Sequence, residues 1–206
     1  MIRFVNKDGL AVVTIDRPGK ANSLTAEMLR DLTKAFQQIA DTDCRAAVLT
    51  GAGTVFSAGA DLEEARAGLA TAPEWERLSG RIAALPCLTI AALNGTLAGG
   101  AFGMALACDL RIAVPDARFF YPVMRLGFLP QPSDPPRLAA LVGPARARMI
   151  LMAGQKIGAP EALAWGLIDR IAAPEALMDT AEALADDALG ASADHVAGIR
   201  RMIRGG

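Results

Sequence analysis

Apolar and polar positions along the chain fall into short runs separated by turn residues. Ile2 to Val5 and Leu10 to Ile15 flank "NKDG", whose Asp-Gly pair is a hairpin signal. After Thr25, a residue suited to an N-cap, Leu29, Leu32, Phe36 and Ile39 recur at helical spacing and predict a helix. "AAVLT" (46–50) and Leu88 to Leu93 are apolar runs of strand length, each passing into glycines and then into a helical pattern. "DLRIAV" (109–114) and "RFFY" (118–121) predict two further strands. The chain is helical from Arg137, punctuated at Gly143-Pro144, with Pro144 suited to the first position of a new helix. "PEALAWGLIDRIA" (160–172) predicts a short helix ending near Gly166 and then a short strand. Two weakly amphipathic segments, 175–189 and 192–203, follow. Strands alternating with helices, without linker, repeat or low-complexity tract, predict one α/β domain over 1–206.

Charge and composition narrow the function classes. The 206 residues can bury a substantial core, and 52% of them are apolar. With 21 basic against 22 acidic side chains, nothing favours nucleic acid or an anionic membrane as partner. The arginines between Arg137 and Arg148 read as a solvated helix face. Ile82 to Cys108 runs 27 residues without a charge. Pro86, Asn94-Gly95 and Gly99-Gly100 divide that run into a strand, a turn and a helix rather than a membrane span. No apolar signal-peptide core stands at the N-terminus. Cys44, Cys87 and Cys108 are odd in number and widely spaced, as expected of reduced core residues in a cytoplasmic protein.

Several familiar chemistries lack their parts. The single histidine, His195, lies in the last helical segment and reads as solvated, so histidine-based nucleophilic catalysis is not expected. No metal-ligand spacing exists. "TGAGTVFSAG" (50–59) follows a strand but carries Phe56 where a dinucleotide fingerprint needs its third glycine. Ser57 lacks the leading glycine of a nucleophile elbow.

Two segments do carry a signal. In "VFSAGADLEE" (55–64) and "LNGTLAGGAFGMALACDLRIA" (93–113), an apolar strand ends, small residues turn the backbone and a helix begins. Small residues let a ligand approach the main chain, and the first N–H groups of a helix lack internal partners. Two such groups converging on one carbonyl oxygen would form an oxyanion hole.

With these two segments, the chain resembles the crotonase superfamily of enoyl-CoA hydratases and isomerases. "IDRPGKANSLT" (15–25), "RFFYPVMRLGFLP" (118–130) and "RLAALVGPARARMILMAGQKIGAPEALAWGLIDRI" (137–171) extend the likeness over nearly the whole chain. The resemblance implies a ββα spiral core over about 1–140, followed by a shortened helical part over about 141–206. It implies that the N–H groups of Ala60 and Gly100 hold a thioester oxygen. Lys20, Ala21, Ala58, Gly59, Asp61 and Leu62 would line the CoA groove, and Phe102, Gly103, Val123 and Phe128 the acyl pocket. CoA would be part of the substrate, with no separate cofactor and no metal. The resemblance further implies a cytoplasmic homotrimer or hexamer in fatty acid metabolism, with the family's final helices expected to be absent after Gly206.

The resemblance breaks where proton chemistry is needed. The family's hydratases carry two glutamates, and here those positions hold Gly103 and Val123. Neither can move a proton, so ordinary two-glutamate hydration is not expected. Candidate substitutes are Asp134 and Glu64. "LPQPSDPPRL" (129–138) replaces a glycine-rich turn, which stiffens the pocket, and Asp134 before Pro135 is expected to cap the next helix. Asp61 reads as a cap or loop residue, Glu63 and Glu64 as first-turn acids, and Tyr121 as core packing. The reading is an acyl-CoA thioester enzyme of lyase or isomerase type, with an enolate held by the two amides. The alternative is an acyl-CoA-binding protein or partner subunit with little catalysis, and a third, remoter reading is an interaction module that keeps only the scaffold.

Overall fold

A computed structural model describes residues 1–204. Its strands are β1 (Ile2–Lys7), β2 (Leu10–Ile15), β3 (Ala46–Gly51), β4 (Val55–Ser57), β5 (Leu88–Leu93), β6 (Thr96–Ala98), β7 (Leu110–Ala113), β8 (Arg118–Phe120), β9 (Ile157–Gly158) and β10 (Arg170–Ile171). The α-helices are α1 (Ala26–Ala40), α2 (Leu62–Arg66), α3 (Glu74–Ala83), α4 (Phe102–Ala107), α5 (Val123–Leu126), α6 (Asp134–Val142), α7 (Pro144–Leu151), α8 (Ala159–Trp165), α9 (Leu177–Gly190) and α10 (Ala193–Arg204).

A six-stranded sheet has the order β1-β2-β3-β5-β7-β10, and a four-stranded one the order β4-β6-β8-β9. β3, β5 and β7 run parallel in the first, and β4, β6 and β8 run parallel in the second. Each turn of the chain therefore gives one strand to each sheet before a helix returns it. This is the α/β ββα spiral, and it stacks the ends of β4, β6 and β8 side by side, where the small-residue turns lie.

The local reasons are visible in the sequence. β1 and β2 pair antiparallel around Asp8-Gly9, both at positive φ, as a two-residue hairpin requires. All six residues of β3 are buried, as expected of an inner strand in a parallel sheet covered on both faces. Helix α1 starts where Thr25 Oγ1 accepts the N–H of Met28 (3.2 Å), and its buried stripe includes Leu29, Leu32, Phe36 and Ile39. Gly166 ends α8 in the left-handed conformation.

Helix α3 was not among the expected elements. It buries Trp75, Leu78, Ser79 and Ile82 on one face, a helical spacing interleaved with the charged Glu74, Glu76, Arg77 and Arg81. Cys44, Cys87 and Cys108 are free and buried, and His195 is exposed. Among the described residues no helix is long and apolar enough to cross a membrane.

Candidate active site

Residues 17–25 form a rigid brace for the first small-residue turn. Ala21 and Asn22 both take positive φ, which is uncommon for residues with a side chain. The buried Asn22 amide donates to the carbonyls of Ala52 (2.9 Å) and Val55 (2.6 Å), while its oxygen accepts the Arg17 N–H (2.8 Å). Ala58 N–H donates to Ala21 O (3.0 Å), and Leu24 N–H to Gly59 O (2.8 Å). Arg17 reaches across to Asp61 at 2.7 Å, which holds that carboxyl below its usual range. Asp61 also caps α2 through the N–H of Glu63 (3.1 Å). Lys20 is exposed beside this brace.

The second turn packs directly on the first. Gly59 has φ +91° and Gly99 φ +57°, conformations that L side chains rarely adopt. A Cβ on Gly59 would lie 2.9 Å from Ala98 O and 3.5 Å from the Gly100 nitrogen. Two glycines thus let the loops touch, and the contact brings Ala60 and Gly100 to one wall. Among the described residues neither N–H has an acceptor in the protein.

That wall borders an apolar cavity of about 140 Å³. Ala60, Gly100, Val123 and Phe128 line it, as do Ala58 and Leu62, which were expected in the CoA groove. Phe102 and Gly103 are instead buried one layer behind: Phe102 stacks on Tyr121 with ring centroids 5.4 Å apart. Trp75 was not anticipated. Its indole lies 3.1 Å from where a Cβ on Gly100 would be, and its Nε1 donates to Leu69 O (2.8 Å). The amphipathic spacing of α3 was the signal that would have found it. A larger cavity, of about 640 Å³, lies among α9, α10 and the ends of β5 and β7. It shares no wall residue with the smaller one and has neither free amide.

No carboxylate lines the smaller cavity. Glu64 accepts the N–H of Ala26 (2.7 Å) and so ties α2 to α1. Glu63 is exposed. Asp134 departs from its expected role as an N-cap. Helix α6 begins at Asp134 itself, with Ser133 before it donating through N–H (3.3 Å) and Oγ (3.0 Å) to Glu76 of α3. With the helix end served from outside, the Asp134 side chain turns inward. It is 1% exposed, and its Oδ2 accepts the Tyr121 hydroxyl at 2.9 Å. Its Oδ1 is buried without a partner, 2.8 Å from where a Cβ on Gly103 would lie. The missing side chain of Gly103 is what makes room for this carboxyl. Burial pushes Asp134 up to about 7, against the pull of the Tyr121 hydrogen bond and the Arg137 charge. Burial, together with the facing carboxylate, pushes the Tyr121 phenol well above its ordinary value.

The chain is similar to known proteins over nearly its whole length. Residues 5–204 match the enoyl-CoA hydratase/isomerase family. Carnitinyl-CoA dehydratase of Citrobacter koseri is 34% identical, with 98% of this chain and 80% of that protein covered. Short-chain-enoyl-CoA hydratase of Clostridium acetobutylicum is 36% identical, covering 89% of this chain and 73% of the relative. The crystal structure of enoyl-CoA hydratase from Bacillus anthracis superposes with a TM-score of 0.92 at 29% identity, covering 99% of this chain and 82% of the other.

Proposed function

Because this chain belongs to the enoyl-CoA hydratase/isomerase family, we propose that it binds an acyl-CoA thioester with the carbonyl oxygen between the N–H groups of Ala60 and Gly100. The observation that carries this reading is the pair of unpartnered amides brought to one cavity wall by the Gly59–Gly99 contact. Two preorganised donors favour the enolate over the ground-state thioester because charge develops on that oxygen, and one such donor is typically worth about 3 kcal/mol. The CoA portion lies along Lys20–Ala21 and Ala58–Leu62, where the main chain is braced from both sides. The acyl group enters the cavity walled by Val123, Phe128 and Trp75. An apolar cavity of about 150 Å³ holds a guest the size of benzene, so a volume of about 140 Å³ favours a short acyl group.

The reaction is a proton-transfer step next to the thioester, in the lyase or isomerase class. Gly103 and Val123 leave it without the two-glutamate arrangement, so ordinary hydration is not the activity we assign. Calorimetric titration with CoA and with acetyl-, butyryl- and octanoyl-CoA tests the proposal. Saturable binding, tightest for the short acyl groups, is the expected result. Absence of binding to every thioester overturns it. Binding without turnover of any enoyl-, malonyl- or hydroxyacyl-thioester replaces the enzyme with the acyl-CoA-binding alternative.

A further inference from the structure

We propose that Tyr121 and Asp134 form a two-membered proton relay, with Tyr121 exchanging the proton with the acyl group and Asp134 storing it behind. The inference rests on the thioester placement just given. Tyr121 is the one residue with a titratable side chain among those lining the 140 Å³ cavity. Its ring is fixed on Phe102, and its hydroxyl is held on Asp134 Oδ2 at 2.9 Å. The other carboxyl oxygen is buried with no partner, which is an expensive arrangement to keep for packing alone. Tyr121, Ala60 and Gly100 also line this one cavity together.

The step balances without any further reactant. The C–H bond next to the thioester breaks, and its electron pair becomes the enolate whose oxygen rests on the two amides. The proton goes to the Tyr121 oxygen while the Tyr121 proton passes to Asp134. Returning the proton to the same carbon gives isotope exchange; returning it two carbons along moves a double bond. The phenol never has to persist as a phenolate, which suits a group whose ionisation burial opposes. Asp134, pushed up to about 7, exchanges a proton near neutrality. The charged groups bearing on it are Glu76 of α3 and Arg137 of α6, besides Tyr121 itself, whereas α4, which packs Gly103 against it, carries no titratable side chain.

Butyryl-CoA in deuterated water, followed by mass spectrometry, reads this proton transfer directly. The wild-type protein should incorporate deuterium next to the carbonyl, with a rate that rises with pH and levels off above about 7. Tyr121→Phe, which keeps the ring on Phe102, and Asp134→Asn should each slow incorporation by about 10²-fold or more. Both should bind butyryl-CoA as the wild type does, and Asp134→Asn should lose the pH dependence, which a merely structural role would leave in place. Binding without incorporation by the wild type, or incorporation by Tyr121→Phe at the wild-type rate, overturns the relay and leaves the thioester site standing. Failure of every form to bind thioester overturns both. Tyr121→Phe decides the matter alone if Asp134→Asn does not fold.

Discussion

The two halves of the cavity are built from different material. One half is backbone: Ala60 and Gly100 present amides whose positions follow from two touching glycine turns and the brace at Asn22. The other half is side chain: Val123 lines it without a proton carrier, Tyr121 stands in its wall, and one layer behind, the Asp134 carboxyl fills the space that Gly103 leaves. Backbone donors are fixed by φ, ψ and loop contact, so they persist as long as the turns do. A side-chain acid needs only to arrive at the right point in space, and different positions in the chain can deliver one. On the proposed reading, the backbone half polarises the thioester and the side-chain half moves the proton.

The largest effect should come from removing the side chain that spans the backbone half. Trp75 is 2% exposed and packs on Gly100. Trp75→Ala should cost about 3–5 kcal/mol of unfolding free energy, measured by denaturant titration. If the folded variant is recovered, its preference should move from butyryl- towards octanoyl-CoA. An unchanged chain-length preference would show that this indole does not bound the acyl space.

A second test concerns the side-chain half and depends on pH. The Asp134 carboxyl in the unfolded chain ionises near 3.8, but in the folded protein near 7. Between those values the folded state holds the extra proton, so stability falls as pH rises from about 4 to 7 and then levels. One pKa unit is about 1.4 kcal/mol, which makes the total change a few kcal/mol. Asp134→Asn should flatten that part of the stability curve and be the more stable form at pH 8. A wild-type curve that rises steadily from pH 4 to 7 would mean the carboxyl is ionised in the fold. The backbone half has no group that titrates in this range, so its variants should keep the wild-type slope.

The backbone half answers to Gly59→Ala. The new Cβ would meet Ala98 O at 2.9 Å, from a φ of +91° that alanine resists, and the two turns must separate. Loss of one donor's alignment should lower deuterium incorporation by about 10²-fold, near 3 kcal/mol, with the Tyr121–Asp134 contact intact. Wild-type incorporation by this variant would detach the amides from the chemistry.

The same contrast decides what the sequence could reveal. The hairpin, the Thr25 cap, the inner strands and the two glycine turns rest on local rules, and each was legible. Helix α3 was hidden because its apolar face alternates with four charged residues and includes Ser79, so the segment looked polar. Asp134 stands among the candidate acids in the sequence, but its side chain does not make the expected cap: a carboxyl before two prolines at a helix start reads as a cap from local pattern alone. Its actual orientation depends on Glu76, 57 residues from Ser133, and on the absent side chain at Gly103. Tyr121 read as core packing, which its burial and its stacking on Phe102 bear out; its bond to Asp134 appears only in three dimensions.

The smallest expected effect is also the most specific to the side-chain half. Gly103→Ala adds one methyl where Asp134 Oδ1 stands 2.8 Å away, inside a helix whose own backbone accepts alanine readily. Overpacking of this kind costs about 1–3 kcal/mol, and the carboxyl is the atom group able to yield. Asp134→Ala removes that obstacle, so the double variant should recover most of what Gly103→Ala loses. A coupling energy of about 1 kcal/mol or more between the two positions, from a thermodynamic cycle, would show that they compete for one volume. Strict additivity would place Asp134 elsewhere and dissolve the claim that its carboxyl fills the space left at Gly103. The cycle with Gly59→Ala should be additive, because the backbone half is held by contacts that neither Gly103 nor Asp134 makes.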